Sequence, residues 1–172
     1  MPKKIAVLIS KSFEDTEYSE TIEALRAARH AITNIEKYEG QIFHGRKCRS
    51  SLTIDKSING SSALDFDALL ILGDFSSDPP DANSHYINFV KQFARLNKPI
   101  LCSCHGHRLL IDASLVQGKQ LTTHNCLSRE LINAGAVFLD QPVVNDNNQY
   151  ISARSYDDLP AFISESLNVL RL

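Results

Sequence analysis

Thiols and imidazoles crowd into one short stretch of this chain, Cys102-Ser-Cys104-His105-Gly106-His107. The apolar run before it ends abruptly, and Arg108-Leu-Leu-Ile111 behind it has helical character. A strand-to-helix turn of this kind lifts one side chain out of a sheet and aims helical N–H groups at it, as in nucleophile elbows, whose usual pattern is Gly-x-Ser-x-Gly. The raised residue here is Cys104. A thiol at a helix start, beside an imidazole, has its thiolate form favoured. The bland alternative is a small buried hydrophobe, the usual fate of a free cysteine. The strand-end position and the adjacent His105 and Gly106 favour the reactive reading. Gly106 would let the backbone approach where a larger residue crowds the pocket.

Glu17 stands just past the end of the first apolar run and should face the same crevice. A carboxylic acid there could hold a thiolate by a hydrogen bond or shuttle a proton; equally, it could be a first-turn glutamate satisfying the helix dipole. Glu14 and Asp15 read as solvated loop acids. His105 is a candidate base for Cys104, although neighbours on a sharp turn often point apart, and His107 is expected to point elsewhere. Cys102, Cys104, His105, His107, His124 and Cys126 raise the question of a metal. Zinc pairs favour a spacing of two to four residues drawn from different turns, and a strand-borne Cys102 does not converge with Cys104, so no metal site is expected.

These groups need a scaffold. Lys4 to Ser10 is a β-branched apolar run, the signature of a strand buried on both faces. Helical spacing follows from about Glu17 to Arg29, and Ile32 to Ile35 reads as a weaker strand. Residues 40 to 62 look like small strands or hairpins at a sheet edge. Asp65 to Gly73 is another buried strand, and Tyr86, Phe89, Val90 and Phe93 mark a helix face that Lys98-Pro99 ends. Strand 100 to 103 feeds Cys104, and Leu109, Leu110 and Ala113 carry the next helix to Gly118. A short strand near 120, a helix from about Leu127 to Ala134 and strand pieces over 136 to 152 come next. Asp157-Asp158-Leu-Pro160 then opens a last helix bearing Phe162, Ile163, Leu167 and Leu170. Alternation of this kind predicts an α/β three-layer sandwich with a largely parallel sheet. Ligands then bind beyond the strand ends at the switch in strand order, in loops after residues 9, 72 and 103.

At 172 residues the chain fits one domain, 1–172, with ordinary hydrophobic and charged fractions of 43% and 22%. A net charge of −2 gives no reason to expect nucleic acid or an anionic membrane. Arg46-Lys47 and Arg49 are too few for a nucleic-acid stripe. The basic-then-apolar start is too short for a signal segment. Four cysteines in such a chain do not make a disulfide framework, so a cytoplasmic protein with reduced thiols is expected.

Several ordered segments together resemble the ThiJ/PfpI family of small cysteine proteins with a flavodoxin-like core. They are Lys4-Ile-Ala-Val-Leu-Ile, Phe13-Glu-Asp-Thr-Glu17, Asp65 to Gly73, Lys98-Pro99, Cys104-His105-Gly106, Leu131-Ile-Asn-Ala-Gly135 and Asp157-Asp-Leu-Pro-Ala-Phe162. The resemblance implies Cys104 as nucleophile, Glu17 as the acid on its sulfur and His105 as the imidazole of a protease-like branch. In that branch a neighbouring subunit supplies an acid at about the place of Asp78. The resemblance also implies a homodimer or larger assembly, small-molecule carbonyl or peptide substrates, and no metal or organic cofactor. Activities in the family are glyoxalase, deglycase, peptidase and stress-linked chaperone or redox sensing.

The pocket wall departs from that pattern. Gly73-Asp74 replaces Gly-Gly in the loop whose amides would hold an oxyanion. Ser77 stands for the loop proline, ahead of Pro79-Pro80; His107 follows Cys-His-Gly in place of proline, and His124-Asn125 replaces Tyr-Pro. Ala153-Arg154-Ser155-Tyr156 replaces Ser-Arg-Gly-Pro. The expected function is a cofactor-free Cys104 enzyme acting on small reactive carbonyls through a hemithioacetal. Amide hydrolysis and non-enzymatic redox sensing are the alternatives. A glutamine amidotransferase is set aside because no His-x-Glu pair follows Cys104.

Overall fold

The computed structural model describes residues 1–11, 13–75, 83–103 and 105–172. Cys104, Ser77, Asp78, Pro79 and Pro80, singled out above, lie outside the described residues.

The first apolar run forms β1 (Lys4–Ile9), and its neighbours are β2 (Ala31–Glu36) and, across the chain, β6 (Ala68–Leu72). Its side chains divide by parity, Ile5, Val7 and Ile9 going to one apolar cluster and Ala6 and Leu8 to the other. That is why the run is continuously apolar rather than alternating: both faces are covered. One cover is α1 (Asp15–Ala27) with the C-terminal α5 (Leu159–Arg171), which supply Ile22, Leu25, Phe162 and Leu170. The other is α2 (Ser84–Arg95), α3 (His107–Asp112) and α4 (Asn125–Asn133), which supply Phe89, Phe93, Leu109 and Leu131. Tyr86, Phe89, Val90 and Phe93 are all buried, as their helical spacing required.

The main sheet also takes in β5 (Lys56–Ser57), β7 (Ile100–Cys102), β10 (Val143–Asp146) and β11 (Tyr150–Ala153), in the order β10-β11-β7-β6-β1-β2-β5. All its pairings are parallel except β10 with β11. The expected α/β sandwich is therefore the fold observed. From β1 the chain moves to β2 on one side and returns through β6 on the other, so the switch point lies at the carboxyl ends of β1 and β6. Residues 40 to 62 divide between two sheets. β3 (Ile42–His44) and β4 (Ser51–Thr53) make a separate antiparallel hairpin, while β5 extends the main sheet. The short β8 (Gln120–Leu121) and β9 (Val137–Phe138) pair in parallel beside it.

One helix start and one cap contact differ from the sequence reading, although Asp158 caps α5 and Pro160 lies in its first turn as expected. The first helix begins at Asp15 rather than near Glu17, because its first turn is polar and the apolar period starts only at Tyr18. Asp158 stands at the N-cap of α5 without a side-chain cap bond; its carboxylate instead accepts from Arg154 Nε (3.1 Å) and Ser155 Oγ (2.7 Å). Cys48, Cys102 and Cys126 are free thiols. No described helix is long and apolar enough to cross a membrane.

Candidate active site

Two first-turn acids of α1 hold the site from below. Asp15 and Glu17 are only 4% and 2% exposed, so Asp15 is not the solvated loop acid its sequence suggested. Its Oδ2 accepts from Lys47 N (2.8 Å), and its Oδ1 from Arg49 N (3.0 Å), Ser50 N (2.8 Å) and Ser50 Oγ (2.8 Å). Burial on its own would raise the Asp15 pKa; the bonds from Lys47, Ser50 and Arg49 outweigh it and bring the value down to about 2. A Cβ on Gly45 would fall on the Asp15 carboxylate, with Oδ2 at 2.6 Å, so the loop can close over the acid only with glycine there. Glu14 is likewise drawn in, its side chain 13% exposed and 3.7 Å from Lys47 Nζ.

Glu17 has the opposite surroundings. Its Oε1 is buried and finds no hydrogen-bond partner among the described residues. Burial raises its pKa to about 7; the Ser103 hydroxyl works against that rise, and the Glu14 carboxylate adds to it. A buried acid poised near neutrality, at the carboxyl end of β1, suits proton transfer.

The loop after β6 supplies the next wall. Gly73 adopts φ +98°, and a Cβ there would collide with Ser10 Oγ and lie 3.0 Å from Ser10 Cβ, so this turn requires glycine. The loop after β7 supplies His105, half-buried. Burial lowers its pKa below the usual histidine value, His124 pushes the same way, Asp74 opposes and Arg46 adds a little. The imidazole is therefore uncharged at neutral pH. Gly106 follows it at the start of α3, where a Cβ would lie 2.9 Å from Ile71 Cγ2 and 3.1 Å from Cys102 Sγ. The absent side chain lets the turn rest directly on the sheet. His107 is fully buried beneath it.

Glu14, Glu17, Arg46, Gly73, Asp74, His105 and Tyr156 line a recess of about 70 Å³. One ordered water needs about 10–15 Å³ of such space, so the recess suits a ligand of a few heavy atoms. Of the residues expected from sequence, Glu17, Gly73, Asp74 and His105 meet there. His124 sits behind His105, their rings stacked 5.3 Å apart at 28°. Cys104 and Asp78 lie outside the described residues.

Sequence reasoning missed Arg46, Tyr156 and Cys126. Arg46 reaches the recess because the 45–50 loop is clasped to Asp15, a contact spanning more than thirty positions that no local pattern announces. Tyr156 was visible only as a departure from the expected Ser-Arg-Gly-Pro; its ring lies 6.4 Å from that of His105. Cys126 is one of the metal-capable residues in the sequence, and the close spacing of Cys102-x-Cys104 masks it. Cys102 is buried in β7, whereas Cys126 Sγ lies 3.2 Å from His124 Nδ1 and 3.8 Å from His105 Nε2.

The chain matches known proteins along nearly its whole length. Residues 3–169 match the DJ-1/PfpI family. The chain is 42% identical over 170 residues to protein/nucleic acid deglycase 2 of Escherichia coli (strain K12), covering 99% of each. It is 41% identical over 170 residues to general stress protein 18 of Bacillus subtilis (strain 168), again covering 99% of each. Among solved structures, a two-domain Anabaena variabilis protein with DJ-1/ThiJ/PfpI-like and ferritin-like domains superposes with a TM-score of 0.91 at 31% identity. The match covers 98% of this chain and 48% of that one.

Proposed function

Because the chain belongs to the DJ-1/PfpI family, we propose that it is a cysteine-dependent enzyme acting on small reactive carbonyls, with Cys104 as its nucleophile. One observation carries this reading: a buried glutamate with a pKa of about 7 and an uncharged histidine share a recess of about 70 Å³. In the proposed step the Cys104 thiolate adds to an aldehyde carbon. The carbonyl oxygen takes a proton, and a neutral hemithioacetal results. Near neutral pH Glu17 is present in both protonation states, so it can donate that proton or accept one, and His105 can serve as base. Backbone amides of Gly73, Asp74 and His105 are the candidate donors to the developing oxyanion. The name of the Escherichia coli relative, protein/nucleic acid deglycase 2, supports a deglycase-like role. A recess this small argues against folded protein as substrate. No cofactor is required by this chemistry, and a homodimer in the cytoplasm is the proposed working form.

Methylglyoxal consumption by the wild type and by Cys104→Ser tests the reading. The wild type should turn it over and the variant should not; turnover by the variant overturns the mechanism. Release of fluorophore from a short amide peptide, lost in Cys104→Ser, with no aldehyde consumed, would replace it with the amidase reading. Selective conversion of Cys104 to its sulfinate by mild peroxide, with neither substrate turned over, would replace it with redox sensing.

A further inference from the structure

His105, His124 and Cys126 come from separate positions on two loops and converge behind the recess. His105 follows β7. His124 is the N-cap of α4, in extended conformation, and Cys126 stands in that helix's first turn. One donor atom from each lies within 4.8 Å of the others. Two of the edges are 3.2 Å, from His124 Nδ1 to Cys126 Sγ, and 3.8 Å, from Cys126 Sγ to His105 Nε2. Zinc bonds of about 2.3 Å to sulfur and about 2.05 Å to nitrogen, set at the tetrahedral angle, demand an N···S edge of about 3.5 Å. The two edges bracket that value. Arg108 Nη2, donating to Glu130 Oε1 at 2.9 Å, ties α3 to α4 and so holds the two loops in register.

We propose that His105, His124 and Cys126 form a binding site for a borderline-soft divalent cation, Zn²⁺ foremost, that opens to solvent beside the catalytic recess. Two imidazoles and a thiol exclude the oxygen-seeking Mg²⁺ and Ca²⁺. His124 and Cys126 are exposed, so the fourth coordination position faces water, and the ion exchanges rather than serving as a structural staple. Binding replaces the thiol proton: the Zn–S bond forms, the S–H bond breaks and one H⁺ passes to solvent. Among the described residues, the one backbone bond that His124 Nδ1 would surrender is the long contact from Cys126 N (3.4 Å). Because His105 also lines the recess, the ion would withdraw that imidazole from proton transfer. This consequence, unlike the binding itself, rests on the function proposed above.

The test uses the full chain loaded with Co²⁺, whose thiolate charge-transfer band reports sulfur ligation directly, with Zn²⁺ affinity then measured against a chromophoric chelator. The wild type and Cys104→Ala should both show the band at one ion per chain. Cys126→Ser should lose it, and His124→Asn, which keeps a capping acceptor, should bind Zn²⁺ at least about tenfold more weakly. No band in the wild type, or a band that survives Cys126→Ser, overturns the site. Neither readout involves turnover, so failure here leaves the carbonyl chemistry standing. Zn²⁺ inhibition that disappears in Cys126→Ser would connect the two.

Discussion

Asp15 and Glu17 stand two residues apart in the first turn of one helix, both closed off from water, yet one titrates near 2 and the other near 7. Burial raises both. The difference is the company each keeps. Asp15 is wrapped by three backbone N–H groups and a hydroxyl, so its charge is distributed among four donors. Glu17 has an oxygen with no partner among the described residues, and a like charge nearby at Glu14. The first acid is a fastener that brings Arg46 to the recess. The second has a pKa near neutrality, which the proposed proton transfer would use. A buried carboxylate is thus structural or chemical according to its donor count, not its depth.

The strongest way to break the comparison is Asp15→Ala. Three N–H groups and the Ser50 hydroxyl lose their acceptor together, so this variant should show the largest fall in melting temperature. Its loop, freed from the helix, should also raise KM through loss of the Arg46 wall. The wild-type contribution has a definite pH window. The folded pKa lies below the unfolded 3.8, so this stability is fully present above that pH and drains away as pH falls toward 2. The gap in melting temperature between the two proteins should therefore narrow as pH falls below 3.8.

Glu17→Gln should do the reverse. The folded pKa of about 7 lies above the unfolded 4.5, so in the wild type the ionised form is penalised on folding. Below pH 4.5 both states are protonated and the penalty is absent; it grows through the window from 4.5 to 7 and is constant above it. The glutamine variant should equal the wild type in stability at pH 4. At pH 8 it should exceed the wild type, by at most about 3 kcal/mol on the conversion of pKa difference to free energy. It should also lose turnover. Equal stability at both pH values would remove the case for a reserved proton.

Gly45→Ala sharpens the fastener half of the comparison. The new methyl would fall on the Asp15 carboxylate and should cost about 1–3 kcal/mol, or about 2–4 °C of melting temperature for each kcal/mol. In an Asp15→Ala background most of that cost should vanish, since the obstruction is gone. Additive losses would show that the clash is not with Asp15.

The contrast also explains what was legible in the sequence. The continuous apolar run of Lys4 to Ser10 and the spacing of Tyr86 to Phe93 are short-range signals, and they foretold the sheet and its covering helices. Glu17 and Gly73 could be placed in the crevice because strand ends at a switch point dictate it. Asp15 could not be told from a surface acid, because its partners lie more than thirty residues away in a hairpin that is itself weakly patterned. Cys126 was obscured for a related reason. Its meaning depends on His105 from another loop, and the neighbouring Cys102-x-Cys104 spacing competed for the same chemistry.

The smallest expected effect concerns the departure at the pocket wall. Asp74 replaces a glycine of the resembled pattern, and its carboxylate raises the pKa of His105 against the lowering by burial and His124. Asp74→Asn removes the charge and keeps the side-chain size, so the imidazole should titrate lower still. If neutral His105 is the working base, the acid limb of kcat/KM should move to lower pH by a fraction of a unit. The alkaline side should be unchanged. An upward shift would mean that Asp74 does not act through His105 and that the acid limb belongs to another group. Glu17 is the natural candidate, because burial raises its pKa to about 7. A Glu17→Gln profile that lacks the limb altogether would then assign it, returning the control of proton transfer to the acid whose burial sets its pKa.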